Sequence, residues 1–171
     1  ITILAGQTGA GKSTAVLQMA LCIASGLPVF GYFEVTQKRV MLVRFEGEDD
    51  DFAKMFKKMT AYFISKSGTD EWLRSKLIIK TMEATDEEFI DNWQNIELSL
   101  QETGFSDGVL IVDNIYTSTN VELQSNEAVK DLLRVISNVR KRYNLTPILV
   151  SHPNKGVQAD KDLHPDQIQG G

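Results

Sequence analysis

Residue types that dominate redox and zinc sites are scarce in this sequence. The 171 residues include one cysteine and two histidines. One cysteine cannot form a disulfide within the chain, and the separation of Cys22, His152 and His164 matches no zinc-binding spacing. We therefore predict that Cys22 is a small core residue of an amphipathic helix, and we expect a reducing, cytoplasmic setting.

Long apolar runs and an excess of basic residues are also missing. No stretch reaches the ~18 apolar residues of a membrane-spanning helix, and no charged-then-apolar leader indicates a signal peptide. The net charge of -5 argues against a wholly basic nucleic-acid coat protein, although it leaves room for a local basic surface. At 171 residues the chain fits one domain, over residues 1–171. Because it begins inside an apolar run and ends at Gly170-Gly171, we expect this domain to be a fragment of a longer protein.

Short apolar segments alternate with amphipathic segments of helical period. The apolar segments predict strands at 1–5, 39–45, 77–80, 109–113 and 147–152. The amphipathic segments predict helices at 13–25, from the acidic cluster 46–51 to about 65, at 86–103 and at 125–143, with polar loops at 114–124 and 153–171. This alternation predicts an α/β fold with a mostly parallel twisted sheet and helices on both faces. In the last helix we predict five buried positions: Val129, Leu132, Leu133, Ile136 and Val139.

The loop after the first strand reads Gly6-Gln7-Thr8-Gly9-Ala10-Gly11-Lys12-Ser13, the Gly-x4-Gly-Lys-Ser spacing of a phosphate-binding loop. Its glycines let backbone N–H groups approach phosphate oxygens, and the following helix adds the positive end of its dipole. Lys12 would reach the β- and γ-phosphates of ATP as a binding and catalytic residue, Ser13 would bind Mg²⁺, and Thr14 would bond an inner phosphate. A glycine-rich turn with a surface lysine is the alternative, but the position between an apolar strand and an amphipathic helix disfavours it.

Two further strand ends carry candidate residues. The strand Val109-Leu110-Ile111-Val112-Asp113 fits a Walker B element, in which Asp113 holds Mg²⁺ directly or through water; the alternative is an aspartate that starts a turn. His152 ends the fifth strand, where it or Ser151 could sense the γ-phosphate, although a lone histidine is more often structural.

A general base for hydrolysis is expected after the second strand. Glu46 and Glu48 both follow it, and the carboxyl ends of parallel strands point into the ligand crevice. We favour Glu48 and keep Glu46 as the alternative. The run 49–51 is interpreted as a solvated helix start, because acidic residues stabilise helix N-termini.

At this point the chain resembles the RecA-like P-loop ATPases, and within them the group of the plasmid-replication helicase RepA and its AAA-type bacterial and phage relatives. Four segments carry the resemblance: the loop 6–14 with Leu17-Gln18-Met19-Ala20, residues 25–35 with Gly47-Glu48-Asp49, residues 110–113, and residues 148–155. The resemblance implies Glu48 as the catalytic glutamate, Asp113 as Walker B and His152 as a sensor. It also implies a ring, usually a hexamer, with the nucleotide at the subunit interface.

The chain departs from this group at two positions. Gln169-Gly170-Gly171 stands where relatives often have Arg-Gly-Ser, and Ser151-His152 stands where they often have two histidines. Lys155 and Lys161 are therefore candidates for the activating cation that a neighbouring subunit would supply.

The resemblance implies an ATPase coupled to DNA replication or recombination, with helicase-like activity and single-stranded DNA as a partner. A non-motor switch, in which bound ATP controls partner binding, is the alternative. A small-molecule kinase is disfavoured because such enzymes need an arginine-rich lid, and the last 29 residues, from Tyr143 on, contain no arginine.

Overall fold

A computed structural model describes residues 1–7, 9–45, 49–83, 89–115 and 126–151. Strands and helices alternate through these ranges, in the order β1 (Thr2–Ala5), α1 (Lys12–Ser25), β2 (Val40–Arg44), α2 (Asp49–Ser67), α3 (Glu71–Lys76), β3 (Leu77–Thr81), α4 (Phe89–Glu102), β4 (Val109–Asp113), α5 (Asn126–Tyr143) and β5 (Thr146–Ser151). The predicted α/β fold is confirmed, with every predicted strand present to within one or two residues at its ends.

All five of these strands pair in parallel in one sheet, in the order β1-β5-β4-β2-β3. Parallel pairing brings the last residues of the strands to one side of the sheet, which we name the carboxyl edge. Ala5 is opposite Ser151 there, and Arg44 is opposite both Asp113 and Thr81. Since β5 lies between β1 and β4, the loop after β1 and the end of β4 are separated by one intervening strand.

Alternate residues of the central strands face two separate apolar cores. Val40, Leu42, Ile111 and Val150 pack on one side with residues of α1, α2 and α3. On the other side, α4 and α5 pack over the residues that alternate with these, which are Met41, Val43, Leu110, Val112 and Leu149. Because side chains alternate between the faces of a strand, a continuous apolar sequence such as Val-Met-Leu-Val is the pattern of a strand covered on both sides.

The first helix follows the prediction closely. Gly26 ends α1 in a left-handed conformation, with φ 78°, and its N–H donates to the carbonyl of Cys22 at 2.8 Å. Cys22 is 1% exposed in the core beneath α1, and burial raises the pKa of its thiol. The prediction that this cysteine is a core residue is confirmed.

One helix was not predicted, and one expectation about a helix is wrong. The short helix α3 has no counterpart among the predicted helices, since six residues are too few to show an apolar period; Trp72 anchors it in the core. Leu133 was expected on the buried face of α5 but is 39% exposed. The buried stripe of that helix runs through Leu132, Ile136 and Val139, and Leu133 lies to one side of it. No helix within the described ranges combines the length and the apolarity needed to cross a membrane.

Gly108, just before β4, occupies a position that has no room for a side chain. A Cβ built there would lie 2.6 Å from the backbone oxygen of Arg39 and 2.7 Å from Cζ of Phe105. Because the Arg39 carbonyl already accepts a hydrogen bond from the N–H of Val109 at 2.9 Å, the backbone cannot move away without breaking that bond. We predict that Gly108→Ala lowers the free energy of unfolding by about 1–3 kcal/mol, measured by urea denaturation.

Gly6→Ala is the matched control for this substitution. A Cβ at Gly6 would meet the side chain of Lys12 at 3.5 Å, an ordinary van der Waals contact. Equal unfolding midpoints for the two variants would contradict the prediction.

Candidate nucleotide-binding site

The loop between β1 and α1 owes its shape to two glycines with left-handed backbones. Gly9 has φ 81° and Gly11 has φ 80°, values that residues with a Cβ rarely adopt. Each would have open space around an added Cβ, so the requirement for glycine is conformational rather than steric. The N–H of Ala10 donates to the carbonyl of Gln7 at 3.2 Å, which closes the loop as a tight turn before α1.

The beginning of α1 presents positive charge without internal compensation. Its N-cap is Gly11, no side chain caps the helix, and its first turn holds no acidic residue. The first N–H groups of a helix have no intrahelical partner, and the helix dipole adds partial positive charge at the same end. This end of α1 therefore suits an anion such as phosphate.

Lys12 brings a full positive charge into the same loop. It is only 8% exposed, and its Nζ donates to the carbonyl oxygens of Gly6 at 2.5 Å and Gln7 at 2.7 Å. A buried ammonium is stable only when it is hydrogen-bonded, and these carbonyls supply part of what water would otherwise provide. The ammonium is thus held inside the loop, where a phosphate oxygen could replace a carbonyl as its partner.

Backbone hydrogen bonds join the loop to the end of β5, and the end of β2 to the end of β4, at the carboxyl edge. The N–H of Gly6 donates to the carbonyl of Ser151 at 3.3 Å, and the N–H of Phe45 donates to the carbonyl of Asp113 at 2.8 Å. Strands in a sheet are about 4.8 Å apart, so Asp113 is about 10 Å across the sheet from β1. Asp113 is partly buried at this position.

A family model described as an AAA domain matches residues 1–158. The chain belongs to the AAA domain family. Membership assigns it to the AAA-type ATPases of the RecA-like P-loop superfamily, which agrees with the loop and the parallel sheet. No curated protein matches the chain. The family thus defines a nucleotide-binding ATPase domain, while the RepA-like subgroup of the sequence analysis stays a prediction.

The structure brings most of the predicted binding residues of this AAA domain to one edge. They are Gly6, Gln7, Gly9, Ala10, Gly11, Lys12, Ser13, Thr14 and Asp113. Ser13 and Thr14 are exposed, and the hydroxyl of Thr14 contacts the sulfur of Met55 in α2 at 3.4 Å. The other predicted residues lie outside the described ranges: Thr8, Glu46, Glu48, His152, Lys155, Lys161 and His164.

The oxygen donors at this edge fit a magnesium ion. Within the described ranges, no three histidine, cysteine, aspartate or glutamate residues come together as a metal cluster. A hydroxyl from Ser13 and a carboxylate from Asp113 are hard oxygen ligands, and Mg²⁺ commonly completes its shell with phosphate oxygens and water. The site therefore suits Mg²⁺ that arrives with a nucleotide.

Arg44, the last residue of β2, lies opposite Asp113 and was not among the residues predicted from the sequence. Its side chain is 6% exposed, with Cζ 3.6 Å from the ring centroid of Phe52 in α2. One guanidinium nitrogen is 3.5 Å from the hydroxyl of Thr81. The available signal in the sequence is an arginine near the end of an otherwise apolar strand. Arg44 fixes the first turn of α2 against the carboxyl edge.

We predict that Arg44→Ala lowers the free energy of unfolding by about 2 kcal/mol or more, because it removes a desolvated cation–π contact and leaves Phe52 partly uncovered. Urea denaturation measures the effect. Arg74→Ala is the control, since Arg74 forms an ion pair with Asp70 at 2.8 Å but its side chain is 80% exposed. The control should change stability by no more than about 0.5 kcal/mol. Equal losses of unfolding free energy in the two variants would show that the burial of Arg44 does not contribute to stability.

Proposed function

We propose that this domain binds ATP with Mg²⁺ at residues 6–14, hydrolyses it, and couples hydrolysis to work on DNA in replication or recombination. The carrying observation is the position of Lys12, whose ammonium is held inside the loop at the uncapped start of α1. Asp113 ends β4 at the same edge, with β5 between β4 and the loop strand. Membership of the AAA domain family supports the ATPase part of the proposal.

Nucleotide binding would exchange the hydrogen-bond acceptors of the Lys12 ammonium. Phosphate oxygens would replace the carbonyls of Gly6 and Gln7 as acceptors for the Lys12 ammonium, so the charge never loses hydrogen bonds. The backbone N–H groups of the loop would hold the phosphates, and Ser13 and Asp113 would hold the metal. Mg²⁺, when bound, would neutralise charge that develops on the β- and γ-phosphates.

Hydrolysis requires a water molecule to attack the γ-phosphorus while the bond to the β–γ bridging oxygen breaks and ADP leaves. A carboxylate near this water would accept its proton. Glu46 is joined directly to Phe45, whose N–H bonds the carbonyl of Asp113. Glu48 directly precedes Asp49, the first residue of α2. The resemblance favours Glu48 as this base, whereas the short connection to β2 supports Glu46 as the alternative.

His152 is proposed as the γ-phosphate sensor. It is joined to Ser151, whose carbonyl accepts the hydrogen bond from Gly6 at the start of the loop. Because β5 lies between the loop strand and the Asp113 strand, Ser151 ends β5 in the middle of the site. This connection supports the sensor assignment from the sequence.

We predict that Glu48→Gln reduces ATP turnover by roughly 100-fold or more, because it removes a general base but keeps the side-chain shape. The affinity for ATP should change by less than about twofold, measured by isothermal titration with the same variant. Glu46→Gln tests the alternative directly. Asp50→Asn, in the exposed start of α2, removes the same charge as a control. Normal turnover in both glutamate variants would contradict a base in this segment.

The coupling to DNA is supported by the resemblance to RecA-like helicases, which also implies a ring with the nucleotide at the subunit interface. A neighbouring subunit would then supply the activating cation, for which Lys155 and Lys161 are the candidates in this chain. The alternative function is a non-motor switch, in which ATP occupancy regulates partner binding. Both functions need the same nucleotide site, so they differ in the response to DNA.

We predict that single-stranded DNA raises the steady-state ATP turnover of the full-length protein several-fold. A coupled-enzyme assay with and without an oligonucleotide measures this, and light scattering with ATP measures the oligomeric mass. Lys12→Ala should remove turnover in both conditions, because it removes the cation that contacts the phosphates. ATP turnover that ignores DNA, together with no DNA binding, would favour the switch.

A further inference from the structure

The helix α2 carries a local excess of positive charge in a chain whose net charge is -5. Residues 52–69 contain four lysines and neither aspartate nor glutamate. The helix turns these lysines and one tyrosine outward. We name this surface the lysine face, and its residues are Lys54, Lys57, Lys58, Tyr62 and Lys66.

The spacing on the lysine face is regular. Lys54, Lys58, Tyr62 and Lys66 follow one another at four-residue intervals, so they form one stripe with about 6 Å of rise between neighbours. Lys57 lies beside the stripe. Lys54 is paired with Asp51 at 3.3 Å, which leaves the strongest uncompensated charge around Lys57, Lys58 and Lys66.

Tyr62 lies between Lys58 and Lys66 in this stripe and is 59% exposed. Its ring makes an edge-to-face contact with Phe63, with the ring centroids 5.6 Å apart, and Phe63 is buried in the core. Lys66 Nζ lies 5.7 Å from the Tyr62 ring centroid. Tyr62 is therefore an exposed aromatic ring that a buried neighbour supports and that cations flank.

This arrangement fits a single-stranded nucleic acid. Proteins bind single strands by combining cations that follow the phosphates with exposed aromatic rings on which bases stack. An anionic membrane is a poorer match, because an interfacial helix inserts apolar side chains into the bilayer. The apolar side chains of α2, including Phe56, Met59 and Phe63, pack in the domain core instead.

The same helix also contacts the nucleotide site. Near its start, Phe52 stacks under Arg44 at the carboxyl edge, and Met55 contacts the hydroxyl of Thr14 in the phosphate loop. We propose that the lysine face of α2 binds the backbone of single-stranded DNA, with Tyr62 stacking on a base, and that α2 connects this surface to the nucleotide. The inference rests on the DNA coupling proposed above and names the surface that performs it.

The test compares the full-length protein with a Lys57→Gln, Lys58→Gln, Lys66→Gln triple variant. Fluorescence anisotropy with a labelled thirty-nucleotide oligo-dT measures the affinity for single-stranded DNA over a range of salt concentrations. We expect the triple variant to bind at least tenfold more weakly. The slope of log affinity against log salt should fall by about 2, because each lost phosphate contact removes ~0.7 for a single strand. ATP turnover without DNA should stay unchanged, which also shows that the variant is folded.

A charge-matched control carries Lys130→Gln, Arg140→Gln and Lys141→Gln, which are exposed on α5. It should bind oligo-dT within about twofold of the unmodified protein. Tyr62→Ala should weaken binding roughly fivefold or more, and Tyr62→Phe should restore it, because both phenyl rings stack on bases.

Three results would overturn the inference. If the unmodified protein binds oligo-dT and the triple variant binds equally with the same salt slope, the lysine face is not the DNA surface, although DNA coupling stands. If the unmodified protein does not bind oligo-dT, both the inference and the DNA coupling fail. If the unmodified protein binds phosphatidylserine vesicles but not oligo-dT, and the triple variant no longer binds these vesicles, the lysine face is a membrane-binding surface.

Discussion

Parallel pairing of the five described strands is the constraint on which the rest of the site depends. It places the loop 6–11, Ser151, Asp113 and Arg44 at the carboxyl edge, although these residues are far apart in sequence. The strand order matters as much as the direction. With β5 between them, β1 and β4 are about 10 Å apart, whereas adjacent strands would be about 5 Å apart.

The phosphate loop holds the side chain of Lys12 in place without a bound ligand. Two backbone carbonyls accept hydrogen bonds from Lys12, and two left-handed glycines fix the turn that presents those carbonyls. A mobile lysine side chain in solvent would lose conformational entropy on binding phosphate, at a free-energy cost of up to about 2 kcal/mol. Because the side chain of Lys12 is already ordered, more of the attraction to phosphate remains as binding free energy.

The sequence predicted those parts of the molecule that depend on local patterns. The phosphate loop, the apolar strands and the glycine that ends α1 each carry a signal within a few residues. The strand order, the exposure of Leu133 and the short helix α3 depend on tertiary packing, so no local pattern contained them. Arg44 shows the limit most clearly: its charge suggests a surface position, and only the contact with Phe52 explains its burial. Local sequence likewise does not distinguish Glu46 from Glu48 as the general base, since both follow β2 within a few residues.

The charges of α2 are separated along the helix, and only its lysine half suits a polyanionic ligand. Acidic residues occupy its start at the carboxyl edge, as the helix dipole favours, and the lysines begin only after the first turn. Asp51 and Lys54 mark the boundary, where their ion pair cancels opposite charges. A nucleic acid on the lysine face would thus be repelled from the end of the helix that adjoins the phosphate loop. Contacts of Phe52 and Met55 with Arg44 and Thr14 still join that end to the nucleotide site. The two ligands would therefore communicate through the body of the helix rather than compete for one basic surface.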